Sequence, residues 1–309
     1  MISMPTIIGE NAEMDLSLEQ MLKTPGGFEK FAMEELPQFI REQRDYESFA
    51  RKVILAHPIG KAQIKMRNRK PYVVYNKDME SSAATFAQDG EVPQTIVEGA
   101  TVEVTVFPIV TNDLTIDLLE LMCEQYNYIQ RIRDLAVQDI GRQEDKKLLS
   151  LIDELLAAGA GQNQVVSVSN TATLDKSHLV KGKQKLSQHD VPLAAFAMNP
   201  ARLDEMLLWG ADDVGDVTAR ELLETGVRYT LWGNVALITS TSIPYDTIYG
   251  FAEKEYVGRM PVLKDVSTQL TEGARKLERG LYAYEFVGVY VHSHKAVCKI
   301  TYTQESADG

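Results

Sequence analysis

QYNYIQRIRDLAVQDIGRQEDKKLLSLIDELLAA, residues Gln125–Ala158, is the stretch that decides the fold of this chain. No proline interrupts it, and its apolar residues recur at helical spacing: Ile129, Ile132, Ala136, Ile140, Leu148, Leu151 and Leu155. Gly159 follows, where a left-handed residue would end a helix. The stretch therefore predicts one helix of roughly 50 Å, where about three turns is typical of globular domains.

Every side chain in the middle of this helix, from Arg142 to Lys147, is polar. We therefore expect the helix to lie across the surface of a sheet, with one side exposed, instead of running through a core. A long, half-exposed helix on a mixed α/β body favours a protein that contacts copies of itself.

Composition sets the broad class of the protein. The 309 residues are 44% hydrophobic and 25% charged, which is ordinary for a globular chain. Two cysteines, Cys123 and Cys298, indicate no disulfide framework. No apolar run reaches the ~18–20 residues that would span a bilayer, so we expect no membrane partner. The net charge of −12 argues against free binding to nucleic acid, although it is compatible with a protein that only encloses it.

The N-terminal stretch 1–50 predicts an arm of short helical fragments separated by prolines. Its apolar anchors include Phe28 and Phe31. Such fragments cannot form a core alone, so the arm must dock on another surface. Docking on the same chain and docking on a neighbouring subunit are both open.

Residues 60–97 are the least globular part of the chain. A basic cluster of Lys65, Arg67, Arg69 and Lys70 begins the segment, and Asp89 and Glu91 lie near its end. The runs at 72–75 and 84–86 have strand character, so we predict a long hairpin. The basic cluster is either part of a solvated loop or a patch that pairs with an acidic neighbouring subunit.

The remaining segments mix helices and strands without βαβ alternation, which favours an α+β fold. A short helix is predicted at 113–122, and Asn199-Pro200 opens another as side-chain cap and first-turn proline. Further helices are predicted at 176–188 and 216–226, strands at 101–110, 165–168, 192–198, 235–239 and 247–252, and a closing hairpin at 286–291 and 296–302.

Catalytic and metal-binding motifs are absent from the sequence, so we expect no enzyme, cofactor or metal. His292, His294 and Cys298 would share one side of a straight strand, but a turn at 292–295 is the better interpretation. Asp212, Asp213 and Asp216 lack the spacing and the closing glutamate of a calcium loop.

The order of these parts resembles that of the major capsid proteins of tailed bacteriophages, which have the Hong Kong 97-type fold. The similarity is carried by IGRQEDKKLLSLID in the long helix, by AFAMNPARLDEMLLW, by the turn at Trp232–Val235, and by VGVYVHSHKAVCKI near the end. The resemblance implies an N-arm (1–50), an extended loop (60–97), a peripheral domain with a spine helix (51–59 and 98–160), an axial domain (161–261), and a return to the peripheral domain with a C-terminal hairpin (262–309).

The implied function is structural: hexamers and pentamers of the chain would form an icosahedral phage head around double-stranded DNA, in the virion, after assembly in the host cytoplasm. Further implied partners are a separate scaffolding protein, a portal and decoration proteins. The expected inter-subunit contact residues are Phe28, Phe31, Arg67, Arg69, Lys70, Asp89, Glu91, Arg142 and Glu144.

Two alternatives stay open at this point. The same fold could form an encapsulin-type nanocompartment shell, because one fold hosts several functions. A soluble α+β enzyme or binding module is the second alternative, and a cleft with perturbed titratable groups would support it.

Overall fold

The computed structural model describes Met33 and residues 36–68, 70–76, 101–117, 128–157, 159–169, 173–209, 230–232, 235–273 and 278–303. Within those ranges, no helix combines the length and the apolar character that a bilayer crossing requires.

Helices and strands are both represented throughout the described residues. The helices are α1 (Leu36–Glu47), α2 (Phe49–Val53), α3 (Tyr128–Ala157), α4 (Lys176–Ser187), α5 (Pro200–Asp204) and α6 (Lys254–Val257). The strands are β1 (Leu55–Pro58), β2 (Ile64–Arg67), β3 (Lys70–Asn76), β4 (Thr101–Thr105), β5 (Phe107–Val110), β6 (Leu114–Asp117), β7 (Val165–Ser169), β8 (Leu193–Met198), β9 (Thr230–Leu231), β10 (Val235–Thr239), β11 (Thr247–Ala252), β12 (Gly258–Gly273), β13 (Glu278–Val287), β14 (Tyr290–Val291) and β15 (Val297–Thr303).

The described residues fall into two compact units. The first unit is drawn from Met1–Lys52, Pro108–Lys146 and Lys264–Phe286. The second is drawn from Val53–Phe107, Lys147–Leu263 and Val287–Gly309. The long helix α3 and the long strand β12 each contribute residues to both units.

The first unit contains α1, α2, the N-terminal part of α3, and a sheet in which β13 lies between β12 and β5. β6 pairs antiparallel with the start of β13, where Leu114 faces Leu281. The predicted helix at 113–122 is therefore wrong over 114–117, because sheet pairing overrides a short amphipathic pattern. Leu36, Ile40 and Phe49 are fully buried, so the described part of the arm docks on its own chain.

The second unit is organised around a mixed sheet with the strand order β7-β15-β11-β8-β10-β9. β8 pairs parallel with β10 and antiparallel with β11, and β15 pairs parallel with β7. The apolar side chains of this sheet form a core with those of α4 and α5, and its fully buried members are Leu179, Phe196, Met198, Ile248 and Ile300. The strands predicted at 165–168, 192–198, 235–239 and 247–252 and the helix at 176–188 are confirmed.

The long helix is confirmed as α3, and Gly159 beyond it has φ +56°. Ala136, Ile140 and Leu148 are buried as predicted. In the C-terminal half, however, Ile152 and Leu156 are the buried positions, and the predicted Leu151 and Leu155 are only half-buried. The stripe is displaced by one position because Leu148, Ile152 and Leu156 keep a spacing of four residues.

The predicted C-terminal hairpin is wrong. Phe286 and Val287 belong to β13, whereas Tyr290 pairs with Arg259 of β12. β15 lies between β11 and β7 and does not return along 286–291. Valine-rich alternation identifies strands but does not specify which strand is the neighbour.

Candidate assembly surface

The basic cluster of the sequence lies at a tight turn in the second unit. β2 and β3 pair antiparallel, and Arg67 faces Lys70 across a two-residue connection. Asn68 opens that connection with φ +50°, a left-handed conformation that asparagine tolerates. The charges of Lys65, Arg67 and Lys70 are therefore gathered at one hairpin end.

This hairpin end exposes more of its surface than a strand pair in a core would. Lys65, Met66 and Arg67 are all exposed, and Met66 has 67% of its surface accessible. Arg67 Nη1 lies 3.4 Å from Glu103 Oε2, but both side chains are largely in solvent, so this pair contributes little stability. Met66 is a single apolar side chain between cations, so the hairpin end is mainly a positively charged surface.

Strand β3 also pairs with β4, where Asn76 faces Thr101. These two residues bracket the segment 77–100, so that segment begins and ends at neighbouring positions of one sheet. The strand predicted at 72–75 is confirmed within β3. The strand predicted at 84–86 lies outside the described residues.

The base of this three-stranded sheet is fixed by aromatic and histidine side chains. Tyr75 Oη lies 2.8 Å from His57 Nε2 of β1, and its ring stacks on Tyr290 with centroids 6.1 Å apart. Burial lowers the pKa of His57, and nearby Arg259 adds to that effect. Burial likewise raises the pKa of Tyr75. His57 and Tyr75 therefore form a partly buried hydrogen-bonded pair.

The other predicted contact residues, apart from Glu144, fall into two groups. Arg142 is exposed on α3, in keeping with an accessible position. Phe28, Phe31, Arg69, Asp89 and Glu91 lie outside the described residues.

Glu144 lies in a different environment from the one predicted. Its side chain is fully buried in the first unit, where it forms a forked pair with Arg51: Nη2 to Oε1 is 2.7 Å and Nε to Oε1 is 3.0 Å. Ser48 Oγ donates to its other oxygen over 3.0 Å. The expectation of a subunit contact is corrected for Glu144, because its carboxylate already satisfies groups of its own chain.

The same cluster explains why two carboxylates in the polar middle of α3, Glu144 and Asp145, can be buried. Asp145 Oδ1 accepts from the backbone N–H of Ala50 over 2.9 Å at the start of α2, which satisfies a helix-terminal donor. Arg51 also reaches Glu285 Oε2 at 3.4 Å. The role of Arg51 was not predicted from the sequence. The only sequence signal for it was that two adjacent carboxylates, Glu144 and Asp145, interrupt a helix face that is otherwise apolar.

Arg202 of α5 is a second buried charge that no sequence motif predicts. Its guanidinium lies between the rings of Tyr245 and Tyr302, at 4.2 and 4.1 Å from their centroids. Both oxygens of Glu205 accept from Arg202 Nη1 at 2.9 Å. Tyr302 Oη lies 3.2 Å from Nδ1 of the buried His178. The arrangement ties α5 and α4 to β15.

Metal binding gains no support from the histidines and cysteines. Burial raises the pKa of the Cys298 thiol to about 12, and its sulfur sits under Gly250, where a Cβ would approach to 2.7 Å. His292 and His294 lie around a short 3-10 turn, as predicted. Across the ranges that the structure describes, no three His, Cys, Asp or Glu side chains are grouped to hold a metal ion.

Comparison with known proteins identifies the fold. No protein-family model matches the sequence, and no curated protein matches it either. The capsid structure of cyanophage P-SCSP1u is similar over 84% of this chain and 89% of its own, with a TM-score of 0.59 at 10% identity. A structure from Microbacterium phage Oxtober96 is similar over 83% and 91%, with a TM-score of 0.59 at 12% identity.

A virus-like particle from Pyrococcus furiosus is similar over 87% of this chain and 98% of its own, with a lower TM-score of 0.50 at 15% identity. The chain therefore has the mixed α+β fold of tailed-phage capsid structures, the Hong Kong 97-type fold. The fold class predicted from the sequence is confirmed.

Proposed function

We propose that this chain is the major capsid protein of a tailed bacteriophage, a structural protein without catalytic activity. Hexamers and pentamers of it would form an icosahedral head around double-stranded DNA, in the virion, after assembly in the host cytoplasm. The observation that carries the proposal is the similarity to a phage capsid over 84% of this chain and 89% of the other.

The exposed hairpin end supports self-assembly independently. Lys65, Met66 and Arg67 cover no part of a core, and the acidic balance of the chain supplies carboxylates on neighbouring copies. Closed shells repeat such heterologous contacts around symmetry axes. Arg67, Lys70 and Arg142 are the described residues that we propose for contacts between subunits, and Phe28, Phe31, Arg69, Asp89 and Glu91 are proposed from the sequence.

The domain assignment belongs to the same proposal. Residues 1–50 would be the N-arm, 60–97 the extended loop, 51–59 with 98–160 the peripheral domain, 161–261 the axial domain, and 262–309 the return. A separate scaffolding protein, a portal and decoration proteins would be the partners. Because Leu36, Ile40 and Phe49 pack on their own chain, we propose that the contacts of the N-arm with other subunits are made by residues before Leu36.

A compartment shell of the encapsulin type is the second candidate, and the similarity to the Pyrococcus furiosus particle favours it. The phage head ranks first because the phage structures have the higher TM-scores. Genes for terminase, portal and protease beside this one would support the phage head, whereas a gene for an enzyme cargo would support the compartment.

Particle formation tests the proposal directly. The chain is co-expressed with the scaffolding protein encoded beside it, and the product is examined by negative-stain electron microscopy. Closed icosahedral particles are the expected result. A monodisperse monomer that persists in the presence of the scaffold would contradict the proposal.

A further inference from the structure

Helix α4 concentrates positive charge on an acidic protein. It carries Lys176, Lys181, Lys183 and Lys185 and no Asp or Glu. Between Glu154 and Asp204, the carboxylates in the sequence are Asp175 and Asp190, on either side of the helix. Asp175 is engaged as the helix cap, accepting from the N–H and the hydroxyl of Ser177 at 3.3 and 3.0 Å.

The lysines lie around the side of α4 that faces away from the core. The buried positions are His178, Leu179, Gly182 and Leu186, whereas Lys181 and Lys183 are exposed and Lys176 and Lys185 half-buried. Lys181 and Lys185 are one turn apart, and Lys176 and Lys183 are two turns apart on the other flank. The positive charges therefore border the outer face of the helix on its two flanks, with Val180 and Gln184 between them.

This face is held rigidly. Gly182 lies so close to the sheet that a Cβ there would approach Ile300 Cδ1 to 2.9 Å, which shows how closely the helix backbone meets β15. Lys183 Nζ lies 5.1 Å from the ring centroid of Trp232, a contact that orders the side chain. A rigid array of cations loses less conformational entropy on binding than a mobile one.

The character of the face distinguishes between two kinds of partner. Lysine is depleted from the cores of protein–protein interfaces, which are enriched in aromatic residues. The large apolar side chains that are exposed on the described residues, such as Met66, Tyr245 and Tyr256, lie on other elements than α4. Interfaces with nucleic acid, in contrast, are polar and strongly positive. Spread lysines fit an evenly charged polyanion better than a few fixed carboxylates.

We propose that the outer face of α4 is the surface through which the chain contacts the phosphate backbone of double-stranded DNA, without reading its sequence. The inference rests on the proposed shell function and adds to it which face of the second unit points to the enclosed DNA. The net charge of −12 predicts general repulsion between the wall and DNA, and α4 would be a local exception that holds the outermost DNA in place.

The test measures binding of a fluorescein-labelled duplex of about 30 base pairs to the full chain by fluorescence anisotropy. Three contacted phosphates predict that affinity falls about 40-fold between 50 and 200 mM salt, from a slope of about −0.9 for each phosphate. The variant Lys181→Gln/Lys183→Gln/Lys185→Gln is expected to bind at least tenfold more weakly at 50 mM and to lose most of this salt dependence. Glutamine keeps the helix propensity of lysine, and circular dichroism checks the fold.

Two matched variants complete the experiment. Lys61→Gln/Lys146→Gln/Lys254→Gln removes the same charge from exposed positions elsewhere and should keep the wild-type slope. The variant Lys181→Arg/Lys183→Arg/Lys185→Arg should retain binding. The proposal is overturned if the wild-type chain does not bind the duplex, or if the α4 variant binds as the control does.

The same preparations are examined for particles. If the α4 variant keeps the affinity of the control for DNA but fails to assemble, the face contacts an acidic surface of another copy and the proposal is wrong. Wild-type particles together with unchanged DNA binding would overturn this inference alone. Absence of wild-type particles in the presence of the scaffolding protein would instead overturn the proposed shell function.

Discussion

Tyr75 and His57 join two strands that are not neighbours in one sheet: the phenol oxygen of β3 lies 2.8 Å from Nε2 of β1. The bond sits where the hairpin sheet meets the body of the second unit. Together with the stack of Tyr75 on Tyr290, it therefore links the hairpin sheet to β1.

Replacing Tyr75 by phenylalanine should lower the stability of the unassembled chain by about 1 kcal/mol, the usual net value of one hydrogen bond. The ring stack on Tyr290 is kept, so packing should change little. Urea unfolding followed by circular dichroism measures the effect. Tyr72→Phe in the same strand is the control and should be nearly neutral; equal losses for both variants would contradict the assigned role.

Acid should weaken the chain through the half-buried His57 and the buried His178. Burial lowers the pKa of His57 and of His178 below the ordinary value, so the unfolded state binds the proton more readily. Their contribution to stability is complete above about pH 6.5 and is lost as pH falls from there through the lowered folded pKa. Thermal unfolding at pH 7.5 and 5.5 measures the loss.

The contribution of His57 to the loss of stability in acid can be isolated in the same measurement. His57→Gln should reduce the difference in melting temperature between the two pH values, because glutamine does not titrate. At His178, the nearby Asp175 carboxylate raises the pKa, whereas Lys181 and Arg202 lower it further. An unchanged difference in the His57→Gln variant would exclude His57 as a source of the acid sensitivity.

Neutralising Glu144 should lower the free energy of unfolding by far more than is expected for a residue in the polar stretch 142–147. Glu144→Gln leaves the buried Arg51 guanidinium with a weaker partner, and breaking a buried pair costs about 3–5 kcal/mol. Arg142→Gln, two residues away and exposed, should change stability by no more than about 0.5 kcal/mol. Urea unfolding of the two variants compares them, and similar values would refute the burial of the pair.

Removing the charges of the hairpin end should separate folding from assembly. Arg67→Gln/Lys70→Gln should leave the melting temperature nearly unchanged, because the Arg67–Glu103 pair is largely in solvent. The yield of particles, measured by sedimentation and electron microscopy, should fall several-fold. Normal assembly by this variant would show that the basic cluster is a solvated turn.

Local signals in the sequence predicted the elements that are decided within a few residues. Gly159 ends α3, and Asn199 Oδ1 accepts from the N–H of Ala201 over 3.1 Å with Pro200 in the first turn. Capping and periodicity act over one or two turns, so they can be read without a structure.

Features that depend on distant partners could not be predicted in this way. Glu144 is buried because it pairs with Arg51, which is remote in the sequence. No residue near Glu144 in the sequence predicts that partner. β15 was assigned to a hairpin because its alternation specifies a strand and not its neighbours, which are β11 and β7. The predicted contact surface fails at Glu144 for the same reason.

The pairing of Asn76 with Thr101 gives this chain a natural grafting point. Since the backbone leaves the sheet and re-enters it at facing positions, the intervening stretch could be shortened, exchanged or replaced by a foreign peptide while the register of Val73 with Val104 is preserved. Closure entropy grows only slowly with length, so inserts of varied size between these two residues should leave the single chain folded.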